Sequence, residues 1–162
     1  MSIVSQGSER TYTDEPTGDE HKIPDYGEGE TLYDRLGGVY GIAGAVDVLT
    51  ERLFNNATAN QNPVTAEFHE EHDPAGFKYL VTAWSVTYSG GPDVYPGRGM
   101  EGAHEELEVT ELEFDVVRTE IKATLYHVGV PEQEIREFME IIDMFRGEVV
   151  ADKHHDEDWV AP

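Results

Sequence analysis

Gly97 to His104 read GRGMEGAH, with Glu105, Glu106 and Leu107 following. This stretch sets one histidine at the end of a glycine-rich turn, just where a new helical pattern is expected to begin. An imidazole in that setting can be held rigid and still point into a cavity. Upstream lies SGGPDVYPGRG, residues 89–99, whose four glycines and two prolines exclude regular helix. An irregular stretch of that length inside a domain is usually functional. With Tyr95, Arg98 and Met100 in or beside it, the expectation is that it is ordered over something.

The rest of the pattern is helical. Thr31, with Asp34 three residues on, caps a short helix that Gly37 and Gly38 end. From Val39 the residues Ile42, Val46, Leu49 and Leu53 recur at helical spacing to about Phe54. The polar run NNATANQNPVTAE is expected to be a surface loop. Asp73 followed by Pro74 then makes an N-cap and first-turn pair. Behind it Phe77, Leu80, Val81, Trp84 and Tyr88 form an apolar stripe on one helix face. A short helix is expected to start at His104 and Leu107. Thr110 with Glu113 reads as a capping box for the next helix, which carries Phe114, Val117, Ile121, Leu125 and Val128 and stops at Gly129. Pro131 opens a last helix with Ile135, Phe138, Met139, Ile142, Phe145 and Val149 as its buried face. No stretch reads as a strand, so the expected class is all-α.

Domain limits follow from composition. Residues 1–29 are Ser, Thr, Gly, Pro and acids, expected to be a disordered acidic tail; residues 30–150 form one domain; 151–162 are a polar tail. The chain has 34 acidic against 11 basic residues, a formal charge of -23, and no cysteine. Thiolate metal sites and disulfides are therefore excluded. Such a surface repels nucleic acid and anionic membranes, whose binding needs Lys and Arg on phosphates. The acids are spread along the whole chain, which fits adaptation to a salt-rich, halophilic cytosol better than a local acidic tail does. No run approaches ~18 apolar residues and the N-terminus lacks a signal-like order, so a cytoplasmic location is expected.

Few residues carry chemistry. His69, His72 and Asp73 are close enough in sequence for a metal site, although Asp73 is better used as a cap. His154 and His155 beside Asp156, Glu157 and Asp158 offer at most a loose cation site. Close carboxylate pairs arise here by composition alone, and no phosphate-cradling glycine loop with a following lysine is present. His104 has two readings. It can be a core histidine satisfied by a backbone carbonyl, or a ligand beside a flat prosthetic group lined by Phe68, Phe77, Trp84, Phe114, Phe138 and Phe145.

TLYDRLGG, then GRGMEGAHEEL, then LEFDVVRTEIKATLYHVGV together resemble a truncated haemoglobin of the first group, the two-on-two helical globins, from about Thr31 to Val150. That resemblance implies a globin-like two-over-two helical sandwich. It also implies non-covalent haem b with His104 as the axial ligand of the iron. Phe68 corresponds to an aromatic wedge on the haem. Phe77, Leu80 and Val81 correspond to the distal helix, and Met100 and Phe114 to proximal haem contacts. Tyr95 and Arg98 are candidates for reaching a propionate. The family's distal tyrosine position holds Thr50 here, and the positions commonly occupied by glutamine or histidine are Phe77, Leu80 and Val81. An apolar distal pocket is therefore expected, with fast oxygen release and easy oxidation of the iron. The implied roles are reversible binding of a diatomic gas (dioxygen, nitric oxide or carbon monoxide), oxygen transport, or nitric oxide dioxygenation with an electron-donating reductase, in a monomer or weak homodimer. The rival is a haem-less module of the same fold that binds a basic protein through its acidic surface.

Overall fold

A computed structural model describes residues 30–151 of the chain. The described part holds eight α-helices and two 3₁₀ turns joined by irregular segments, and among these residues there is no strand. The short α1 (Leu32–Arg35) starts as the sequence predicts, with Thr31 Oγ1 accepting from Asp34 N at 3.0 Å. Gly37 and Gly38 have φ of 87° and 67°, left-handed values that a side chain resists, and they turn the chain into α2 (Gly38–Phe54). A 3₁₀ turn (Ala59–Gln61) and α3 (Pro63–Glu71) follow, then α4 (Pro74–Tyr88).

The helix α3 corrects the expectation of a loop over NNATANQNPVTAE. Asn62 accepts from Val64 N at 2.9 Å and Pro63 occupies the first turn, a start signal that the polar composition hid. Asp73 caps α4 as expected, accepting from Ala75 N at 2.9 Å. Residues 89–99 are irregular, also as expected. Beyond them come α5 (Met100–His104), a 3₁₀ turn (Glu105–Leu107), α6 (Glu111–His127), α7 (Glu132–Met144) and α8 (Arg146–Val149). The capping box of α6 is complete: Glu113 N donates to Thr110 Oγ1 at 3.2 Å, and Thr110 N donates to Glu113 Oε1 at 2.9 Å. Two expectations need correction. His104 ends its helix rather than beginning one, because Gly99, with extended ψ, starts α5 one turn earlier. The last helix is broken at Phe145, where the backbone leaves helical values (φ -98°, ψ 3°), so Phe145 and Val149 fall outside α7.

Two helix pairs make the sandwich, α2 on α4 and α6 on α7, with α2 also packed on α6. Ile42 and Val46 of α2, Trp84 and Val86 of α4, Phe114 and Leu125 of α6, and Ile135, Phe138, Met139 and Ile142 of α7 share one buried cluster. Apolar burial of this kind is worth about 1.5–3 kcal/mol per large side chain. Arg35 of α1 ties the near end together, donating to Glu134 at 2.7 Å and to Glu137 at 2.6 and 2.7 Å. The far end is closed by Ala151 N donating to Val109 O at 2.9 Å. No helix among the described residues is long and apolar enough to cross a membrane.

Candidate functional site

The loop after α4 delivers a five-residue helix whose last residue is His104. Its Nδ1 lies 2.8 Å from the carbonyl oxygen of Met100, one turn back. A carbonyl only accepts, so Nδ1 carries the proton and, in the neutral ring, Nε2 keeps its lone pair. Burial holds the His104 pKa below its ordinary value; the nearby Arg98 guanidinium acts the same way, against the Met100 carbonyl, which favours the charged ring. A neutral imidazole with its Nδ1–H on a backbone carbonyl is the form in which histidine ligates a metal. The two sequence readings of His104, carbonyl-bonded and ligand, thus describe one geometry.

Around this ring the loop is tightly drawn. The Tyr95 hydroxyl donates to Arg98 O at 2.6 Å, and a Cβ on Gly97 would sit 2.5 Å from that hydroxyl, so only glycine lets the phenol close over the turn. Burial raises the Tyr95 pKa, keeping it a phenol. Arg98 is exposed, with no ion pair among the described residues, and is free to meet an anion. Met100 and Tyr95 are half-buried against the central cluster.

The other sequence-predicted residues lie on α2, α3, α4 and α6. Thr50 is 1% exposed and its hydroxyl donates to Val46 O at 2.7 Å, so its proton is committed within its own helix. Phe77 and Val81 are half-buried on α4, which packs on α2, and Leu80 is 40% exposed. Phe54, which sequence reasoning missed as a site residue, meets Phe77 edge-on at 5.3 Å between ring centroids. Phe68 of α3 stacks on His72 at 4.1 Å, while Phe54 stacks on His69 at 4.3 Å. His69 Nδ1 bonds to Asn60 Oδ1 at 2.7 Å, and burial lowers its pKa. Asn62, at the start of α3, reaches Leu107 O at 3.4 Å and Glu113 at 3.1 Å, joining the α3 wall to the segment just past His104. Phe114 is set apart from this group: it is 6% exposed in the core, with the Arg146 guanidinium 4.3 Å above its ring.

The suggested metal site at His69, His72 and Asp73 does not form. Among the described residues no three His, Asp or Glu side chains converge, and Asp73 is used as the α4 cap. The histidines at 154 and 155 lie outside the described residues, as do the proposed tail at 1–29 and all but Ala151 of the one at 151–162.

Comparison with known proteins decides the family. The model of the bacterial-like globins matches residues 31–151, about three quarters of the chain. This chain is a bacterial-like globin. A group 1 truncated hemoglobin of Synechocystis is 35% identical over 111 residues, covering 66% of this chain and 85% of that one. One from Tetrahymena pyriformis is 25% identical over 75% of this chain and 96% of its own length. Among solved structures, the 2/2 hemoglobin of a Synechococcus strain, described in the cyanomet state with covalently attached heme, superposes with a TM-score of 0.67 at 26% identity, over 75% of this chain and 98% of that one. The Tetrahymena pyriformis truncated hemoglobin in its Fe(III) form gives 0.63 at 25% identity, again over 75% of this chain and 98% of that one. The all-α architecture is therefore the two-over-two fold of the truncated globins, and membership of this family implies haem. The residues present fit such a group: a neutral imidazole with a free Nε2, an arginine with no ion pair among the described residues, and half-buried apolar side chains on α4.

Proposed function

We propose that the chain binds haem b, with His104 Nε2 as the residue that would hold its iron, and takes up a diatomic gas at that iron. The observation that carries this reading is the bond from His104 Nδ1 to Met100 O, which presents the imidazole in the ligating tautomer. The Met100 carbonyl also makes the ring more basic, strengthening its donation to the iron. Haem would supply the gas-binding iron; the protein would supply a ligand to it, the dielectric and the access route. Arg98 meets a propionate, its planar fork suiting a carboxylate. Tyr95, whose hydroxyl is bonded to Arg98 O, supports Arg98 rather than reaching the propionate itself.

Phe68, Phe77, Leu80, Val81 and Met100 give the pocket its apolar walls, and Phe114 backs it from the core. At the position matching the family's distal tyrosine, Thr50 donates to Val46 O, so that hydroxyl would offer no donor to a gas ligand. Fast oxygen release and ready oxidation of the ferrous iron follow, with carbon monoxide and nitric oxide less affected. The protein acts as a reversible gas binder in the cytoplasm, and as a nitric oxide dioxygenase where a reductase supplies electrons.

The test is a titration of purified protein with haemin, followed by ferric, ferrous and carbonmonoxy absorption spectra. Stoichiometric uptake with a sharp Soret band supports the reading. A colourless protein that refuses haem contradicts it and favours the haem-less module with a basic partner. A ferric spectrum showing two histidine ligands contradicts the apolar distal pocket.

A further inference from the structure

From Pro92 to Arg98 the chain forms no backbone–backbone hydrogen bond among the described residues. Its path is instead held by two side-chain hydroxyls. Thr87, near the end of α4, accepts from Val94 N at 3.0 Å and from Tyr95 N at 3.1 Å, and donates to Pro92 O at 3.4 Å. Tyr95 in turn donates to Arg98 O at 2.6 Å. The next backbone bond is Ala103 N to Gly99 O at 2.8 Å, inside the short helix whose Met100 carbonyl holds His104. A five-residue helix that buries no residue cannot fix its own position. Its placement rests on Met100 against the core, on the neighbouring α8, and on the loop that leads into it.

From this we infer that Thr87 and Tyr95 are positioning residues for His104. They form a relay that couples the distal helix α4 to the proximal ligand. The inference rests on the haem reading above for its consequence, and on the geometry alone for the relay. A shift of α4 when its pocket face is occupied is passed through the Thr87 hydroxyl to the loop. The Tyr95 hydroxyl carries it to Arg98 and so to the start of the ligand helix. The α4 end of this relay needs one hydroxyl with two acceptor sites and one proton, which serine supplies and valine, of the same shape as threonine, does not.

Thr87→Val, Thr87→Ser and Tyr95→Phe separate this role from plain stabilisation. In the ferrous haem-loaded protein, resonance Raman reads the iron–histidine stretching band. Thr87→Val is expected to shift and broaden it, Tyr95→Phe to shift it less, and Thr87→Ser to restore the wild-type band. In the apoprotein, hydrogen exchange at the Ala103 amide is expected to rise about tenfold in Thr87→Val, together with exchange at Val94 and Tyr95. A Thr87→Val protein with the wild-type band position and width overturns the inference. So does faster exchange at Val94 and Tyr95 with none at Ala103, because then the hydroxyl pins the loop without reaching the ligand helix. Should Thr87→Val fail to fold, Tyr95→Phe, which removes one hydroxyl, takes its place in both measurements: a shifted band with faster Ala103 exchange supports the relay, and a wild-type band or unchanged Ala103 exchange overturns it. Failure of the wild-type chain to take up haem sinks the haem reading, and the Ala103 arm still decides the relay.

Discussion

The α6–α7 half of the molecule and the α3–α5 wall are built on different terms. In α7, Ile135 is 1% exposed, and Phe138, Met139 and Ile142 are buried beside it. Arg118 clasps Asp143 with two bonds of 2.6 and 2.9 Å, and Arg146 reaches Glu111 and Asp115 at 2.7 Å each. By contrast α3 and α5 bury no residue at all, and their order comes from caps, hydroxyls and stacked rings. The α6–α7 half is specified by packing; α3 and α5 are held at their edges, and α4 between them buries Trp84 and Val86 in the core while leaving Leu80 exposed. A protein that must admit a large prosthetic group divides its stability in this way.

Substitutions should divide along the same line. The largest effect is expected from Phe138→Ala, which opens a cavity among packed helices and costs about 3–5 kcal/mol by urea denaturation of the apoprotein. Phe68→Ala, on the other half, should cost about 1 kcal/mol or less in the same assay, because its ring lies on His72 near the surface. Its expected effect is instead weaker haem retention. Equal losses from the two would erase the distinction.

Next in size is a gain of function in the wall. Phe77→Gln puts a donor where the chain has a phenyl ring, and a bond to the partly charged bound oxygen is worth about 1.5–3 kcal/mol. Oxygen release, followed by stopped-flow absorption, should slow roughly tenfold to a hundredfold, and carbon monoxide release should change much less. An unchanged oxygen rate would place the gas elsewhere than against α4.

Acid should act on the wall before the scaffold. His69 and His104 both have pKa values lowered by burial, so below the unfolded value of about 6.5 the unfolded chain binds protons that the folded one refuses. Apoprotein stability should therefore fall as pH drops through and below that value. Glu137 and Asp143 of the scaffold, lowered chiefly by Arg35 and Arg118, lose their contribution only in the carboxylate range. His69→Phe keeps the stack on Phe54 and should flatten the slope near neutrality; a slope that persists unchanged would assign it elsewhere.

The smallest difference between the halves is expected from salt. With a formal charge of -23 spread along the whole chain, screening should raise the melting temperature of the domain as one transition between low and molar salt. A melting temperature indifferent to salt contradicts reading this charge as adaptation to a saline cytosol.

The sequence was most informative where a signal is local. The Thr110–Glu113 box, the Asp73–Pro74 start and the Gly37–Gly38 turn each act within four residues, and each appears as expected. The helix α3 escaped notice because it buries nothing and so shows no apolar period; only Asn62–Pro63 marks its start. The break at Phe145 interrupts a periodicity that continues on both sides. In the proposed site, His104 and Arg98 stand out as candidates from the glycine turn and the family resemblance alone. The part played by Thr87 does not, since a hydroxyl that bonds seven and eight residues ahead leaves no pattern in the chain. The contact of Phe54 with Phe77 likewise exists only once α2 and α4 are packed.

Everything proposed for the pocket depends on His104 being the iron's ligand, and the decisive experiment is to load the His104→Gly protein with haemin, with and without imidazole. The variant is expected to fold but to hold haem poorly, and added imidazole should restore the ferric and ferrous spectra of the wild type by occupying the vacated position. Wild-type spectra from His104→Gly without imidazole would show that another residue ligates the iron and that the haem does not sit against α5.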